Sequence, residues 1–279
     1  MITTKNRAED ISRTCRVLQK LDPPPLEIII TADGCTDQTA EVVRAELPRA
    51  RIIINTPGLG SVASRDRMMR EAKGELVLSL DDDSYPEQLD GLARLALLFE
   101  GNPRLAIAHF PQRTDEYPES LRQADFGPAH PTRSFANSGA VLKRSIYLQL
   151  DGFEPGFFHM YEEPDYALQC MAAGYEVLFT PVVTIRHHFS RQDRNEMRNH
   201  HRHARNEFWS TLMRCPFPYL PVLISYRIAS QFCCAWKRGL SWTIREPVWW
   251  CQAVAGIAYY LKKRNPIPWS RYLTWLRLR

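Results

Sequence analysis

The sequence lacks paired cysteines and any apolar run long enough to cross a membrane. Its seven cysteines are odd in number and form no C-x-x-C pair, which argues against a disulfide framework or a zinc ribbon and favours a reducing cytosol. The apolar stretch Pro247–Leu261 is shorter than the ~20 residues that a spanning helix needs. The start, Met1–Arg7, has no apolar signal core, so we expect no secretory signal.

Complete phosphate-binding glycine motifs are also missing, and so are internal repeats. The pair Gly58 and Gly60 lacks the rest of a dinucleotide fingerprint, and no Walker-type Lys-Ser/Thr is present. By itself this pair is weak evidence for a nucleotide site. It does lead into Arg65, which we expect to lie near a phosphate.

The net charge of +5 hides a division of charge along the chain. Residues 186–279 carry 17 Lys and Arg against 4 Asp and Glu, whereas residues 1–185 carry 19 against 27. A basic tail on an acidic body indicates an anionic partner. The positive charge of the tail alone does not distinguish between a membrane surface, a nucleic acid and an anionic acceptor.

Short apolar runs alternate with helical patterns over residues 1–110, which predicts βαβ units and a mainly parallel sheet. The predicted strands are Ile28–Ile30, Arg51–Ile54, Leu76–Leu80 and Leu105–Phe110. The predicted helices are Ala40–Leu47, capped by Thr36–Asp37, and Val62–Ala72 and Pro86–Glu100. Ile2–Thr3 resembles the end of a first strand, which leaves open a true start upstream or a shortened edge. Residues 111–135 are predicted to form a long loop, and long loops often have a function. The next predicted elements are helices Ala140–Leu150 and Pro164–Ala173 and the strand Tyr175–Phe179.

Three adjacent acids, Asp81, Asp82 and Asp83, directly follow the predicted strand Leu76–Leu80. Crowded like charges are unfavourable unless a cation lies between them, and Mg²⁺ or Mn²⁺ prefers carboxylate oxygens together with substrate phosphates. The competing interpretation is a solvated acidic turn before a helix that starts near Ser84.

Two further polar clusters accompany the acids. Asp33 follows the strand Ile28–Ile30, at the strand end where ligands of open α/β sheets bind. Glu162 and Glu163 precede a predicted helix, whose positive end stabilises them even without a function. A metal site together with a separate carboxylate is what metal-assisted group transfer requires, since the carboxylate takes the proton of an incoming hydroxyl.

Taken in order, these motifs resemble the family 2 glycosyltransferases of the GT-A fold. The resemblance covers roughly residues 1–195. Each motif is degenerate, but their order and spacing are specific. The matching segments are Thr3–Arg7, Ala32–Asp37, Leu59–Asp66, Leu80–Asp83, Asn137–Ala140, Asp151–Phe157, Tyr161–Asp165 and Ile185–Ser190.

The resemblance implies a mainly parallel Rossmann-like sheet and an inverting transfer from a nucleotide-diphosphate sugar with Mg²⁺ or Mn²⁺. Glu163 would be the catalytic base. Asp83 would bind the metal, with His187 beside it and His188 as the fallback. The residues that would contact the nucleotide are Thr3, Asp33, Arg65, Asp81 and Asp82.

Three positions depart from the family pattern. Ala32 stands where a second acid is common, and Lys5 where an aromatic residue often stacks on the base. Glu163 replaces the more frequent Asp and is longer by one methylene, a displacement on the scale that affects catalysis. We interpret these as tuning rather than loss of activity. The alternatives are a catalytically silent relative that binds a nucleotide sugar or a partner enzyme, and a sugar nucleotidyltransferase, whose Gly-rich basic N-terminal loop is missing.

The predicted organisation is a transferase domain over 1–195, with a nucleotide half at 1–110 and an acceptor half at 111–195, and a helical extension over 196–279. The extension holds all seven tryptophans and many arginines. Aromatic and basic residues together are typical of the headgroup region, so we expect a cytoplasmic protein, peripheral on the inner membrane face. A soluble helical cap is the alternative, and no groove-reading motif favours nucleic acid.

From this we expect the acceptor to be a glycan or lipid-linked hydroxyl in cell-surface polysaccharide synthesis. UDP-linked donors are expected first and dTDP-linked deoxysugars next. His200, His201 and His203 lie among arginines and are interpreted as a solvated basic helix face.

Overall fold

The computed structural model describes residues 1–189 and 195–278. Ser190, the last residue of the Ile185–Ser190 motif, lies outside these ranges. The strands are β1 Ile2–Thr4, β2 Ile29–Asp33, β3 Arg51–Asn55, β4 Leu76–Asp81, β5 Ser84–Pro86, β6 Leu105–His109, β7 Gln112–Thr114, β8 His130–Pro131, β9 Ala140–Lys143, β10 Glu176–Phe179 and β11 Ile185–His187. The α-helices are α1 Ala8–Leu18, α2 Thr39–Glu46, α3 Ser61–Glu71, α4 Gly91–Glu100, α5 Arg144–Gln149, α6 Glu162–Ala172, α7 Glu196–Arg214, α8 Tyr219–Arg238, α9 Leu240–Thr243, α10 Glu246–Lys262 and α11 Trp269–Arg277.

Eight strands form one sheet in the order β3-β2-β1-β4-β9-β6-β10-β8. Neighbouring strands from β3 to β4 are parallel, and so are β6 and β10, whereas β9 and β8 run antiparallel to their partners. The expected mainly parallel sheet flanked by helices is therefore confirmed.

The order of the strands reverses at β1, which lies between β2 and β4. Ile2 is paired with Ile30 on one side and Leu80 on the other, and all three side chains are buried. The chain moves outward through β2 and β3 and then returns to β4 across β1. Such a reversal leaves a crevice at the carboxyl ends of the strands, where open α/β sheets bind ligands.

A second sheet of three strands, in the order β5-β11-β7, lies next to this crevice. β5 directly follows the acidic triplet and is antiparallel to β11, with His187 paired to Ser84. β7 is parallel to β11 on its other side. This register brings the histidine of β11 to the acids at the end of β4.

Three local predictions were wrong. Ser84–Pro86 is a strand rather than a helix start, because it pairs with β11 about a hundred residues away in the chain. Ala140–Leu150 is β9 followed by α5, not one helix. β9 lies between β4 and β6 and is buried on both faces, so its apolar run shows no alternation that would distinguish it from a helix. The predicted loop 111–135 contains β7, β8 and a 3-10 turn at Pro118–Arg122.

The C-terminal residues are helical, as expected for the extension, and they share the core of the sheet. One buried cluster contains Tyr166 of α6 together with Trp209 of α7, Tyr260 of α10 and Trp275 of α11. Within the residues that the structure describes, no helix is both long and apolar enough to span a bilayer.

Candidate active site

Asp81, Asp83 and His187 form the centre of the candidate site. Each offers one ligand atom, and these atoms lie within 4.8 Å of one another. Asp81 ends β4, Asp83 follows two residues later, and His187 ends β11. Two strands from distant parts of the chain therefore bring together the three side chains that the sequence assigned to metal and nucleotide binding.

Hydrogen bonds orient His187 toward Asp83. Its Nδ1 lies 3.0 Å from Oε1 of Gln112, whose own amide nitrogen donates to Oγ of Ser138 at 2.6 Å. Gln112 thus accepts from Nδ1, and Nε2 faces Oδ1 of Asp83 at 3.2 Å. Nε2 donates to this carboxylate when the imidazole is charged, and its electron pair faces a cation when the imidazole is neutral. Two electron-pair donors at this distance, steadied by a second layer of hydrogen bonds, fit a divalent cation.

The Asp83 carboxylate is ionised in this setting. It is almost completely buried, which opposes ionisation, but His187 and Arg7 outweigh the burial and lower its pKa. A buried carboxylate held in its charged form, beside a second carboxylate and an imidazole, is a donor set that Mg²⁺ and Mn²⁺ accept.

Arg7 is a site residue to which no role was assigned from the sequence. Its Nη1 donates to Oδ2 of Asp83 at 2.9 Å and to Oδ1 of Asp82 at 3.2 Å. The guanidinium therefore bridges two of the three acids. Its place in the motif Thr3–Arg7, just after β1, marked the segment as part of the site but did not identify the partners of the guanidinium.

Asp82 is not part of the metal-ligand group. Its carboxylate meets Arg7, and its carbonyl oxygen accepts from Oγ1 of Thr14 on α1 at 2.7 Å. Burial raises the pKa of Asp82 to about 7, against the opposing effect of Arg7. The contacts of Asp82 with other described residues attach the acidic turn to α1. They differ from the nucleotide contact that is expected of this residue.

Arg65 lies on α3 and is buried against Asp81, with which it forms an ion pair. Thr3 of β1 is in register with Asp81 on the neighbouring strand. The structure thus brings Thr3, Arg65 and Asp81 together at the carboxyl end of the central strands.

Asp33 organises the glycine-containing loop that precedes α3. Its carboxylate accepts hydrogen bonds from the backbone N–H groups of Leu59 and Gly60, each at 2.8 Å. The side chains of Asn55 and Ser64 also donate to it, at 2.8 Å and 3.2 Å. In this structure Asp33 therefore holds the loop beside the crevice in place. This role is additional to the contact with a nucleotide base that is expected of it.

Glu162 and Glu163 form the third part of the site, at the first turn of α6. Oε1 of Glu162 accepts from Nδ2 of Asn137 at 3.2 Å, and Oδ1 of Asn137 accepts from Oγ of Ser79 on β4 at 3.3 Å. This relay attaches the glutamate pair to the strand that carries the acids.

The electrostatics of the two glutamates favour proton uptake. Burial, followed by the charge of Glu162, raises the pKa of Glu163 to about 8, and burial also raises the pKa of Glu162. Arg65 opposes both shifts without cancelling them. A carboxylate with a pKa near neutrality is suited to general-base chemistry.

His188, the alternative to His187, lies outside the metal-ligand group. Its Nε2 is 2.8 Å from the hydroxyl of Tyr85, and its Nδ1 is 3.6 Å from Asp115. The expected solvated face of His200, His201 and His203 is also wrong in part. His201 is buried, and Nε2 of His200 lies 2.8 Å from the fully buried carboxylate of Glu246.

Two solved structures share this fold. Mannosyltransferase PcManGT from Pyrobaculum calidifontis, in complex with GDP-Man and Mn²⁺, superposes with a TM-score of 0.59 at 19% identity, over 99% of this chain and 84% of its own. GalNAc-T7 with UDP, GalNAc and Mn²⁺ gives a TM-score of 0.62 at 12% identity, over 77% of this chain and 47% of its own. The chain thus spans about half the length of GalNAc-T7. The fold is that of the GT-A glycosyltransferases.

Sequence comparison gives the same result. The uncharacterized glycosyltransferase YwdF of Bacillus subtilis (strain 168) is 25% identical over 199 residues, which are 68% of this chain and 73% of YwdF. The sequence model of glycosyl transferase family 2 matches residues 1–168, which are well over half of the chain and include the acids and the glutamate pair of the site but not His187. The chain therefore belongs to glycosyl transferase family 2.

Proposed function

We propose that this protein transfers a sugar, with inversion, from a nucleotide-diphosphate sugar to a hydroxyl of a glycan or lipid-linked acceptor in cell-surface polysaccharide synthesis. The observation that carries the proposal is the grouping of Asp81, Asp83 and His187 at the switch point of the sheet, beside a glutamate pair. Donors linked to UDP come first and those linked to dTDP next. The structural relatives that hold UDP and GDP-Man support a nucleotide donor without choosing its base.

The nucleotide would lie across the carboxyl ends of β1, β2 and β4. Thr3 and Asp81 line this edge, and Asp33 fixes the loop that borders it. Arg65 and Asp82 complete the proposed set of nucleotide-binding residues. Arg65 forms an ion pair with Asp81, and Asp82 forms one with Arg7.

Mg²⁺ or Mn²⁺ would be held by Asp81, Asp83 and His187. When bound, the cation would supply positive charge that stabilises the departing nucleoside diphosphate. Before that, Asp83 must remain ionised, and Arg7 and His187 ensure this by lowering its pKa.

Glu163 would act as the base. Its carboxylate takes the proton of the acceptor hydroxyl while that oxygen forms a bond to the anomeric carbon. The bond from this carbon to the diphosphate oxygen breaks, and its electron pair leaves with the nucleoside diphosphate. A single in-line displacement of this kind inverts the anomeric centre.

Calorimetric titration of UDP, dTDP, GDP and CMP, each with and without Mn²⁺, tests the donor site. We expect one nucleoside diphosphate to bind in a metal-dependent manner, and Asp83→Asn to weaken it at least about tenfold. Asp90→Asn, at an exposed carboxylate just before α4, is the matched control and should bind as wild type does. Binding of none of the four would overturn the proposal. Metal-dependent binding combined with full turnover of Glu163→Gln would leave a donor site but remove Glu163 as the base.

Contact with an anionic membrane surface is the second part of the proposal. Exposed apolar side chains continue along α8, α9 and α10: Val222, Tyr226, Trp236, Leu240, Ile244, Val248, Val254 and Leu261. Exposed basic residues lie between them or directly after them in the chain: Lys237, Arg238, Arg245 and Lys262. Apolar side chains with interspersed cations suit the boundary of an anionic bilayer, and a membrane-bound enzyme would meet lipid-linked acceptors there.

Vesicle co-sedimentation tests this surface. We expect binding to phosphatidylglycerol vesicles, weakening as salt is raised, and little binding to phosphatidylcholine. The double change Trp236→Ser and Leu240→Ser should lower binding at least about tenfold. Leu97→Ser removes an equally exposed leucine (69% against 71% for Leu240) from α4 and should change nothing. Unaltered binding by the double variant would overturn the membrane proposal and leave the donor site unaffected.

A further inference from the structure

The segment directly before the glutamate pair has an unusual backbone. Phe158, Met160 and Tyr161 have φ values of 66°, 75° and 72°, in the left-handed region that residues other than glycine rarely occupy. Such a conformation persists only where the surroundings hold it in place. Tyr161 is also the residue from which α6 begins, so the segment determines where Glu162 and Glu163 lie.

One side chain of α7 holds this segment. Nδ2 of Asn206 lies 3.1, 2.9 and 2.7 Å from the carbonyl oxygens of Phe157, His159 and Met160. The amide has two hydrogens for three acceptors, so at least one is shared. Asn206 is completely buried, and its three contacts are with carbonyl groups at the end of the short 3-10 helix Pro155–Phe157 and in the irregular residues that follow it.

Arg205 strengthens these contacts from the other end of the amide. Its Nε and Nη2 donate to Oδ1 of Asn206 at 3.0 and 2.9 Å, and Nη2 also donates to the carbonyl oxygen of Phe157 at 3.0 Å. Its guanidinium lies over the ring of Trp209 at 4.4 Å. A cation at Oδ1 polarises the amide and makes its N–H groups better donors.

Other residues of α7 contact the same segment from the same face. The ring of His203 meets the ring of Tyr161 edge-on at 5.1 Å, and Oε1 of Glu207 lies 3.5 Å from the hydroxyl of Tyr161. Positions 203, 206 and 207 are three and four residues apart and therefore share one side of the helix. This side of α7 lies beyond residues 1–168, which the family model matches.

We propose that Asn206 is a positioning residue, which holds the left-handed segment 158–161 and thereby places Glu163 for proton transfer. The second half of this statement rests on the proposed role of Glu163 as the base. The first half concerns the backbone alone. Asn206 touches no reacting atom, so its loss acts on the rate through the position of the glutamate.

Asn206→Asp is the sharpest variant. The carboxylate keeps the volume of the side chain and an oxygen for Arg205, but it places a second oxygen against three carbonyl oxygens. Asn199→Asp makes the same change two turns earlier on α7, where the described residues form no hydrogen bond with the side chain. Asn206→Ala serves as a second variant, since it removes the donors without adding charge.

Hydrogen exchange tests the first half. We expect the amides of residues 158–161 to exchange at least about tenfold faster in Asn206→Asp and Asn206→Ala than in wild type or Asn199→Asp. Equal exchange in all four proteins would overturn the inference. This result does not depend on any activity.

UDP release from UDP-hexoses tests the second half. In Asn206→Asp we expect kcat to fall about 100-fold with the donor KM within about twofold of wild type. UDP should still bind at one site per chain in the calorimeter, which excludes a merely unfolded fraction. Faster exchange with unchanged kcat would overturn the positioning role. Full turnover by Glu163→Gln would instead reject the proposed base and leave the exchange result in place.

Discussion

The pH dependence of turnover is the prediction most directly tied to the structure. Glu163 must be ionised to accept a proton, but burial and the adjacent charge of Glu162 raise its pKa to about 8. The acid is therefore mostly protonated at neutral pH. We expect kcat/KM for the acceptor, at saturating donor, to rise with pH through this value.

The size of the effect follows from the titration. A carboxyl group with a pKa of about 8 is about one-tenth ionised at pH 7 and about nine-tenths ionised at pH 9. The rate constant should therefore rise about tenfold over this interval and flatten above it. Glu162→Gln keeps the side-chain volume and an acceptor for Asn137 but removes the neighbouring charge. Its profile should be displaced to lower pH, with a larger share of the maximum reached at pH 7.

Initial rates of nucleotide release over pH 6–10, in buffers of constant ionic strength, provide the measurement. Glu119→Gln, on an exposed turn, is the control and should reproduce the wild-type profile. Glu163→Gln should lower the rate about 10²–10⁴-fold on the plateau above pH 9 and abolish the rise with pH, because a general base contributes on this scale only in its ionised form. A flat wild-type profile, or a Glu162→Gln profile that coincides with it, would refute the reasoning.

Three further predictions concern stability. The pKa of Glu163 is about 8 in the folded protein and 4.5 for a free side chain, so Glu163 destabilises the protein increasingly as pH rises between these values. We therefore expect Glu163→Gln to raise Tm at pH 8 and to leave it unchanged at pH 5. Equal differences in Tm at the two pH values would contradict this. Arg7→Met should lower stability by about 3 kcal/mol in urea titrations, with partial recovery in Mn²⁺, because it leaves buried carboxylates unpaired. Gly60→Ala should cost about 1–3 kcal/mol more than Gly174→Ala, since both have positive φ but only the first methyl group would overlap Phe158; equal costs would refute the contact.

The parts of the fold that depend on local pattern could be predicted. The strands β2, β3, β4 and β6 and the helices α2, α3 and α6 follow from apolar runs alternating with helical periods. β5 and β9 could not, because their strand conformation depends on partners far along the chain. A three-residue segment has no periodicity of its own, and a strand buried on both faces has the composition of a buried helix.

The candidate site divides in the same way. The acids at Asp81–Asp83 and the pair at Glu162 and Glu163 could be found because strand ends and helix starts are visible in the sequence. Arg7 and Asn206 could not be assigned a role, since their partners lie more than seventy and more than forty residues away. An arginine after a strand, or an asparagine inside a helix, has many possible settings, and only the folded chain selects one.

The donor side and the base side of the crevice meet where Gly60 packs against Phe158. Asp33 holds Leu59 and Gly60 by their N–H groups, and Gly60 lies so close to Phe158 that a Cβ would overlap its carbonyl oxygen and its ring. On the opposite side, Asn206 holds the carbonyl groups that flank Phe158. The loop beside the proposed nucleotide and the segment before the proposed base therefore cannot shift independently. A substitution that moves the loop at Gly60 should therefore also move the segment at Phe158, and the reverse, because the two backbones are packed together without intervening space.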